Sequence, residues 1–361
     1  MAAMTGDPET RMLAGTGWPG RAALAAVLAA MLAAPMLTGP AAANDSSAEL
    51  RQGGLVLVKN PGVEMRAEDL YISPGAVVVR YRFLNTTGRD RKVLVAFPMP
   101  DIVIGGPDDM VSVPRDDPQN FLGFTTRVDG QPVTARVEQK VIARGVDRTA
   151  YLKSLGVPLA PQLAATRDAL DRLPAATRDR LVAMGLAVID EYSQGRDQPW
   201  ERHWHPSWTL KTAYYWEQLF PAGREIVVEH SYAPSVGTTS GTSLETEDLR
   251  QSDDAHAQKR KYCIDSSFMA AVVKAKRAVG PMHQAFFEKR IDYVLSSGAN
   301  WQKPIGEFHL TVDKGRSDAL VSFCMDGVKK VAQTLFEVRK TNFRPTGDLS
   351  ILILEPAPEG F

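Results

Sequence analysis

The sequence predicts a mainly β protein with a helical insertion, arranged as two β-sandwich-like domains, and three observations carry that expectation. Residues alternate with period two over Ala76 to Pro100, and short alternating runs return at regular spacing from Phe287 to Leu354. Between them, over about Pro161 to Tyr192, the period becomes helical. At 361 residues, 44% hydrophobic and 23% charged, the chain is long enough for two cores. Lys plus Arg and Asp plus Glu both number 42, so no net field recruits nucleic acid or anionic lipid.

Residues 1–43 read as an export signal. Arg11 and Arg21 precede the apolar run Ala22 to Ala34, and Ala41-Ala42-Ala43 offers a small-residue cleavage site. The other reading, a retained anchor, meets a run that is short and broken by Pro35, whereas a span needs about 20 apolar residues. Gly15-Thr-Gly17-Trp-Pro-Gly20 fits a dinucleotide fingerprint, but it follows no strand and lies within the signal. The mature chain is therefore expected to be periplasmic or secreted, with no membrane span after cleavage. In that oxidising compartment Cys263 and Cys324 are expected to pair, closing a loop of about 60 residues and adding roughly 4 kcal/mol in the chain-entropy model. Two buried thiols are the alternative.

Asn44 to Gln52 reads as a polar lead-in, Leu55 to Val58 as a short strand, and Met65 to Ser73 as a second strand ended by Pro74-Gly75. In the next stretch Val77, Val79, Tyr81 and Phe83 share one face. Asn85 to Arg91 is a polar turn, and Val93, Val95 and Phe97 share a face of the return arm, so a β-hairpin is expected. After Pro100 come Pro114, Pro118 and the acid pairs Asp108-Asp109 and Asp116-Asp117, which mark a surface loop without calcium-loop spacing. Phe121 to Val128 and Gln131 to Ile142 read as a strand pair about Asp129-Gly130.

Pro161 and Pro174 suit the first turns of two helices, and Leu181, Met184, Val188 and Tyr192 recur at helical spacing. Leu219 to Gly223 then reads as a turn, with Glu225 to Tyr232 as the return strand. The domains are expected at 44–240 and 266–361, with 241–265 as a linker or long loop because Ser235 to Ala257 is rich in Ser, Thr, Gly and acids. In the second domain Ser266 is expected to cap a helix over Phe268 to Ala278, stopped by Gly280-Pro281. Strands follow, separated by turns such as Asp326-Gly327.

The densest chemistry lies at Trp200 to Trp216. Trp200, His203, Trp204, His205, Trp208 and Tyr215 form the candidate ligand surface, since large aromatics favour interfaces. Two His with Glu201 suggest a metal or a hydrolytic centre, yet the spacing lacks a third ligand and a helix. Tyr214 and Trp216 alternating inward on a strand is the packing alternative. His230 is read as a satisfied sheet residue. No catalytic residue, metal or cofactor is assigned. The expected role is a non-enzymatic binding, adhesion-type or structural envelope protein, whose partner is an unknown protein or a cell-wall polymer. The alternative is an envelope-directed hydrolase with a site near Glu201, His203 and His205.

The mature chain resembles the bacterial domain-of-unknown-function 4424 family. The resemblance rests on Asn44-Asp-Ser46, Gly53-Gly54-Leu55, Asp69-Leu70-Tyr71-Ile72-Ser73, Phe83-Leu-Asn85, Phe97-Pro-Met-Pro100, Tyr214 to Gly223, and Ser297-Gly298-x-Asn300-Trp301 to Phe308. That family implies no activity. More loosely, in the first domain Leu84-Asn85, Ala96 to Pro100, Val128-Asp129-Gly130, Lys140 with Ala143, Tyr151 and Gly156, and Leu219-Phe220-Pro221 with Val227 to Tyr232 look like the vault/inter-alpha-trypsin type of β-sandwich, which implies adhesion, although the helical insert at about Pro161 to Tyr192 departs from that pattern.

Overall fold

The computed structural model describes residues 46–51, 54–107, 109, 111–193, 199–239 and 241–358. The expected signal and its cleavage site after Ala43 lie outside the described residues. The described residues open on a hairpin, β1 (Ser46–Arg51) and β2 (Gly54–Val58), where the sequence suggested a polar lead-in. It continues through β3 (Val63–Ile72), β4 (Val77–Asn85), β5 (Arg91–Pro98), β6 (Ile102–Ile104) and β7 (Val111–Ser112). Then come β8 (Thr125–Val128), β9 (Gln131–Val133), β10 (Arg136–Ala143) and β11 (Val146–Asp147). Three helices follow, α1 (Thr149–Ser154), α2 (Ala164–Asp171) and α3 (Ala175–Ala183), and after them β12 (Ala187–Ser193), β13 (Trp200–Pro206), β14 (Trp208–Phe220), β15 (Glu225–Tyr232) and β16 (Val236–Thr239). The last third holds α4 (Glu247–Arg250), α5 (Asp253–Lys261), α6 (Ser266–Val279), β17 (Phe286–Tyr293), β18 (Ile305–Asp313), β19 (Leu320–Phe323), β20 (Lys329–Lys330), β21 (Leu335–Phe343) and β22 (Leu349–Pro356).

A seven-stranded sheet runs β11-β10-β14-β5-β1-β2, with β6 also on β14. An eight-stranded sheet runs β20-β21-β18-β3-β4-β15-β8-β9, and a five-stranded one β19-β22-β17-β16-β7. The protein is thus mainly β, as its alternation predicted. Val77, Val79, Tyr81 and Phe83 do share a buried face and meet Phe97, Trp216, Phe220 and Trp301 in one core. Each such side chain contributes about 1.5–3 kcal/mol by leaving water.

The expected hairpin at Ala76 to Pro100 does not form. Both arms are strands, but β4 pairs with β3 and β15 while β5 pairs with β14 and β1, so the Asn85 turn carries the chain from one sheet to the other. Asn85 holds that crossing by donating to the carbonyls of Arg89 and Phe220. The Leu219 to Gly223 turn makes the same kind of crossing, since β14 and β15 lie in different sheets. Alternation fixes which face is buried and leaves the neighbour open. The Asp129-Gly130 turn is a true hairpin, with both residues at positive φ (48° and 78°), though its second strand breaks into β9 and β10.

The expected second helix stops early. Gly185 at φ 72° follows α3, and Val188 and Tyr192 lie on β12. Residues 241–265 carry two helices, α4 and α5, where a linker or long loop was expected. Nor do the sheets respect a division there. β18 lies parallel to β3, and Ile291, Tyr293, Ile351 and Ile353 join the main core. The other face of β22, Leu352 and Leu354, packs on Tyr262, Phe268 and Val272. Asp265, one residue before the expected Ser266, accepts the Phe268 N–H and caps α6. Cys263 and Cys324 stand at disulfide distance, with sulfurs 2.14 Å apart. Among the described residues no helix is long and apolar enough to cross a membrane.

Candidate functional site

β12 and β13 form a two-stranded ribbon of their own, in register from Ala187 opposite Pro206 to Ser193 opposite Trp200. Residues directly opposite share a face. One face therefore carries Trp200, Arg202 and Trp204 with Ser193, Glu191 and Ile189. The other carries Glu201, His203 and His205 with Tyr192, Asp190 and Val188.

The base of the ribbon is clamped by the helices. Trp204 is 8% exposed, with the Arg178 guanidinium of α3 3.7 Å from its ring centroid. Asp171, the last residue of α2, accepts the Trp204 N–H at 3.0 Å through Oδ1 and stands 3.0 Å from His203 Nδ1 through Oδ2. An acid at a helix C-terminus faces the unfavourable end of the helix dipole, and the histidine and the edge N–H offset that cost. Tyr192 stacks on His203 with centroids 4.5 Å apart, and Glu201 lies 3.5 Å from Nε2. The hydrogen bond to Asp171 holds the His203 imidazole above its ordinary value. Burial pushes His205 the other way, against Asp190 at 3.5 Å.

The Trp200 to Trp216 stretch therefore divides. Trp208 is 2% exposed and donates its indole N–H to the Leu159 carbonyl at 2.9 Å. Tyr214 and Trp216 point into the core along β14, as the packing alternative supposed. Tyr215 sits on the outer face with Arg136 4.8 Å from its ring centroid. His230 is buried among Phe97, Phe124 and Trp216. Trp200 alone among these aromatics is largely in solvent, at 76%.

A carboxylate that orients an imidazole is half of a general-base arrangement. Among the described residues no hydroxyl or thiol is hydrogen-bonded to His203 or His205, and no group of three or more His, Cys, Asp or Glu could hold a metal. What the ribbon offers is an aromatic and polar surface. Asp171, Arg178 and Tyr192 contact it near its base, and sequence reasoning did not single them out as site residues. Nothing local in α2 or α3 marks the acid or the arginine that meets a ribbon so far along the chain.

No curated protein matches the chain. Among solved structures, a candidate nutrient binding protein from Legionella pneumophila is 15% identical, with 87% of this chain and 70% of that one covered and a TM-score of 0.39. An M1 zinc metallopeptidase variant from Deinococcus radiodurans is 10% identical, with 82% and 43% covered and a TM-score of 0.21. Neither likeness is close enough to argue from. A family model does match, over residues 43–352, and by it the chain belongs to the family described as Domain of unknown function (DUF4424).

Proposed function

We propose that the chain is an exported bacterial envelope protein that works by binding, and that the ribbon end bearing Trp200 is its contact surface. The observation that carries this reading is the 76% exposure of Trp200 on a ribbon whose base is fixed through Asp171, His203 and Trp204. A large aromatic left in water on a braced element loses little conformational freedom on binding and gains apolar burial. Its partner is a protein or a wall polymer of the periplasm or cell surface. The export signal read at residues 1–43 and the cysteine pair at disulfide distance support that compartment.

The test is retention on an isolated envelope fraction. Wild-type mature protein stays with the fraction, and Trp200→Ala, equally well folded, is released. Equal retention of the two removes the ribbon from the reading.

A hydrolase using Glu201, His203 and His205 draws on one observation, the 3.0 Å Asp171–His203 contact, which would orient a base. Release of soluble fragments from the envelope fraction, abolished by His203→Ala, would favour that reading.

A further inference from the structure

The β12–β13 ribbon has two edges, and its register shows what each presents. The Ser207 N–H donates to the Leu186 carbonyl at 3.2 Å, and this pair continues the register of the ribbon. Bonded and unbonded pairs alternate along antiparallel strands, so Ile189 and Glu191 of β12 point both backbone groups outward, as do Arg202 and Trp204 of β13. Two residues agree with that parity. The Trp204 N–H reaches out to Asp171, and Pro206, which has no N–H to give, holds another outward position opposite Ala187. The β13 edge is thus partly taken by α2. The β12 edge is open: among the described residues no third strand joins the ribbon, and nothing bonds the outward backbone groups of Ile189 and Glu191.

A cleft of about 560 Å³ runs beside that edge. Ala187, Val188 and Ile189 all line it although their side chains alternate between faces, which places it along the rim of the strand. The rest of its lining is mostly apolar and includes Val103 of β6 and Ile142 of β10, which flank Thr209 on the seven-stranded sheet. Val103 is 60% and Ile189 44% exposed. An unpaired strand edge beside exposed valine and isoleucine is a template for an extended chain, whose main chain bonds the edge while alternate side chains fill the cleft. One charge sets the direction of that chain. Arg144 lines the cleft at the end where β12 begins, its side chain lying against Gly185 and its Nη1 donating to the Ala183 carbonyl at 2.9 Å. No acidic side chain lines the cleft, and among the described residues none stands within ion-pair distance of Arg144. An antiparallel strand ends there on its carboxylate, whereas a parallel one would begin there on an ammonium that the guanidinium repels.

We propose that the β12 edge binds the extended C-terminal segment of a partner protein, antiparallel to β12, with the terminal carboxylate on Arg144 and apolar side chains at alternate positions in the cleft. The site lies on the opposite edge of the ribbon from the strand that bears Trp200, and it stands whether or not Trp200 is a contact. Fluorescence anisotropy of the full mature chain with labelled Ser-Val-Ser-Val-Ser-Val tests it, the peptide carrying either a free carboxylate or a terminal amide. The free acid binds, and the amide binds at least about tenfold more weakly, as expected for a lost charge-assisted pair. Arg144→Gln brings the acid to the level of the amide with an unchanged melting temperature. Ile189→Pro removes an outward N–H and none of the ribbon's own bonds, so it binds the acid more weakly than Ile189→Ala does. Trp200→Ala leaves the titration as it was. The proposal is overturned if folded protein binds neither peptide, if the amide binds as well as the acid, or if folded Ile189→Pro binds as Ile189→Ala does. A concentration-dependent dimer abolished by Ile189→Pro would give the edge to a second copy instead and would also overturn it.

Discussion

Asp171 joins a helix end to a ribbon, with one carboxylate oxygen 3.0 Å from His203 Nδ1 and the other accepting the Trp204 N–H. Because the contact raises the His203 value, its stabilisation is full below the unfolded imidazole value of about 6.5 and is lost as pH rises through the folded one. Asp171→Asn keeps an acceptor for the Trp204 N–H but loses the charge. Denaturant melts should show a loss of up to about 1 kcal/mol near pH 5.5 and less near pH 8.5, the scale of a partly exposed pair. His205 has the opposite sign. Burial lowers its value, so its contribution is present above about 6.5 and is lost as pH falls through the folded value. In an NMR titration His203 therefore titrates above His205, and the reverse order would contradict this assignment.

Three of the four tryptophans of the aromatic stretch, Trp200, Trp204 and Trp208, should separate by stability. Trp204→Ala and Trp208→Ala remove rings that are 8% and 2% exposed, and each should cost about 3–5 kcal/mol. Trp200→Ala should change stability by no more than about 0.5 kcal/mol. Urea midpoints of the three variants check this, and a large loss for Trp200 would mean that its ring is packed.

The same stretch shows what the sequence made legible. Alternation along β14 correctly placed Tyr214 and Trp216 inside, because a strand has only two faces. It could not say that the segment before β14 would be a ribbon, nor that α2 and α3 would cover Trp204. Val188 and Tyr192 fit a helical stripe as well as a strand, and Gly185 decided between them. Strand positions in the last third were legible from turn chemistry. The parallel pairing of β18 with β3 was not, since it joins segments more than 200 residues apart and leaves no local mark.

That pairing has its own test at Gly306. A Cβ there would lie 2.5 Å from the Arg66 carbonyl oxygen, next to the register shift between Met65 and Ala67 on β3. Gly306→Ala must push the two strands apart and should cost about 1–3 kcal/mol. A neutral effect would argue against the shared sheet.

The cysteine pair predicts two further results. Unfolded, unreduced protein should titrate no free thiol. The Cys263→Ser, Cys324→Ser double variant should lose roughly 4 kcal/mol in the chain-entropy model, because the cross-link spans a sequence separation of 61. Two free thiols would contradict the pairing.

Iodide quenching of tryptophan fluorescence tests most directly whether the ribbon end is where this protein meets its partner. Trp204, Trp208, Trp216 and Trp301 are buried, so the difference between wild type and Trp200→Ala isolates the signal of Trp200. Adding the envelope fraction that retains the protein should shield that component from iodide. If the protein is retained while Trp200 stays fully quenchable, the contact lies elsewhere.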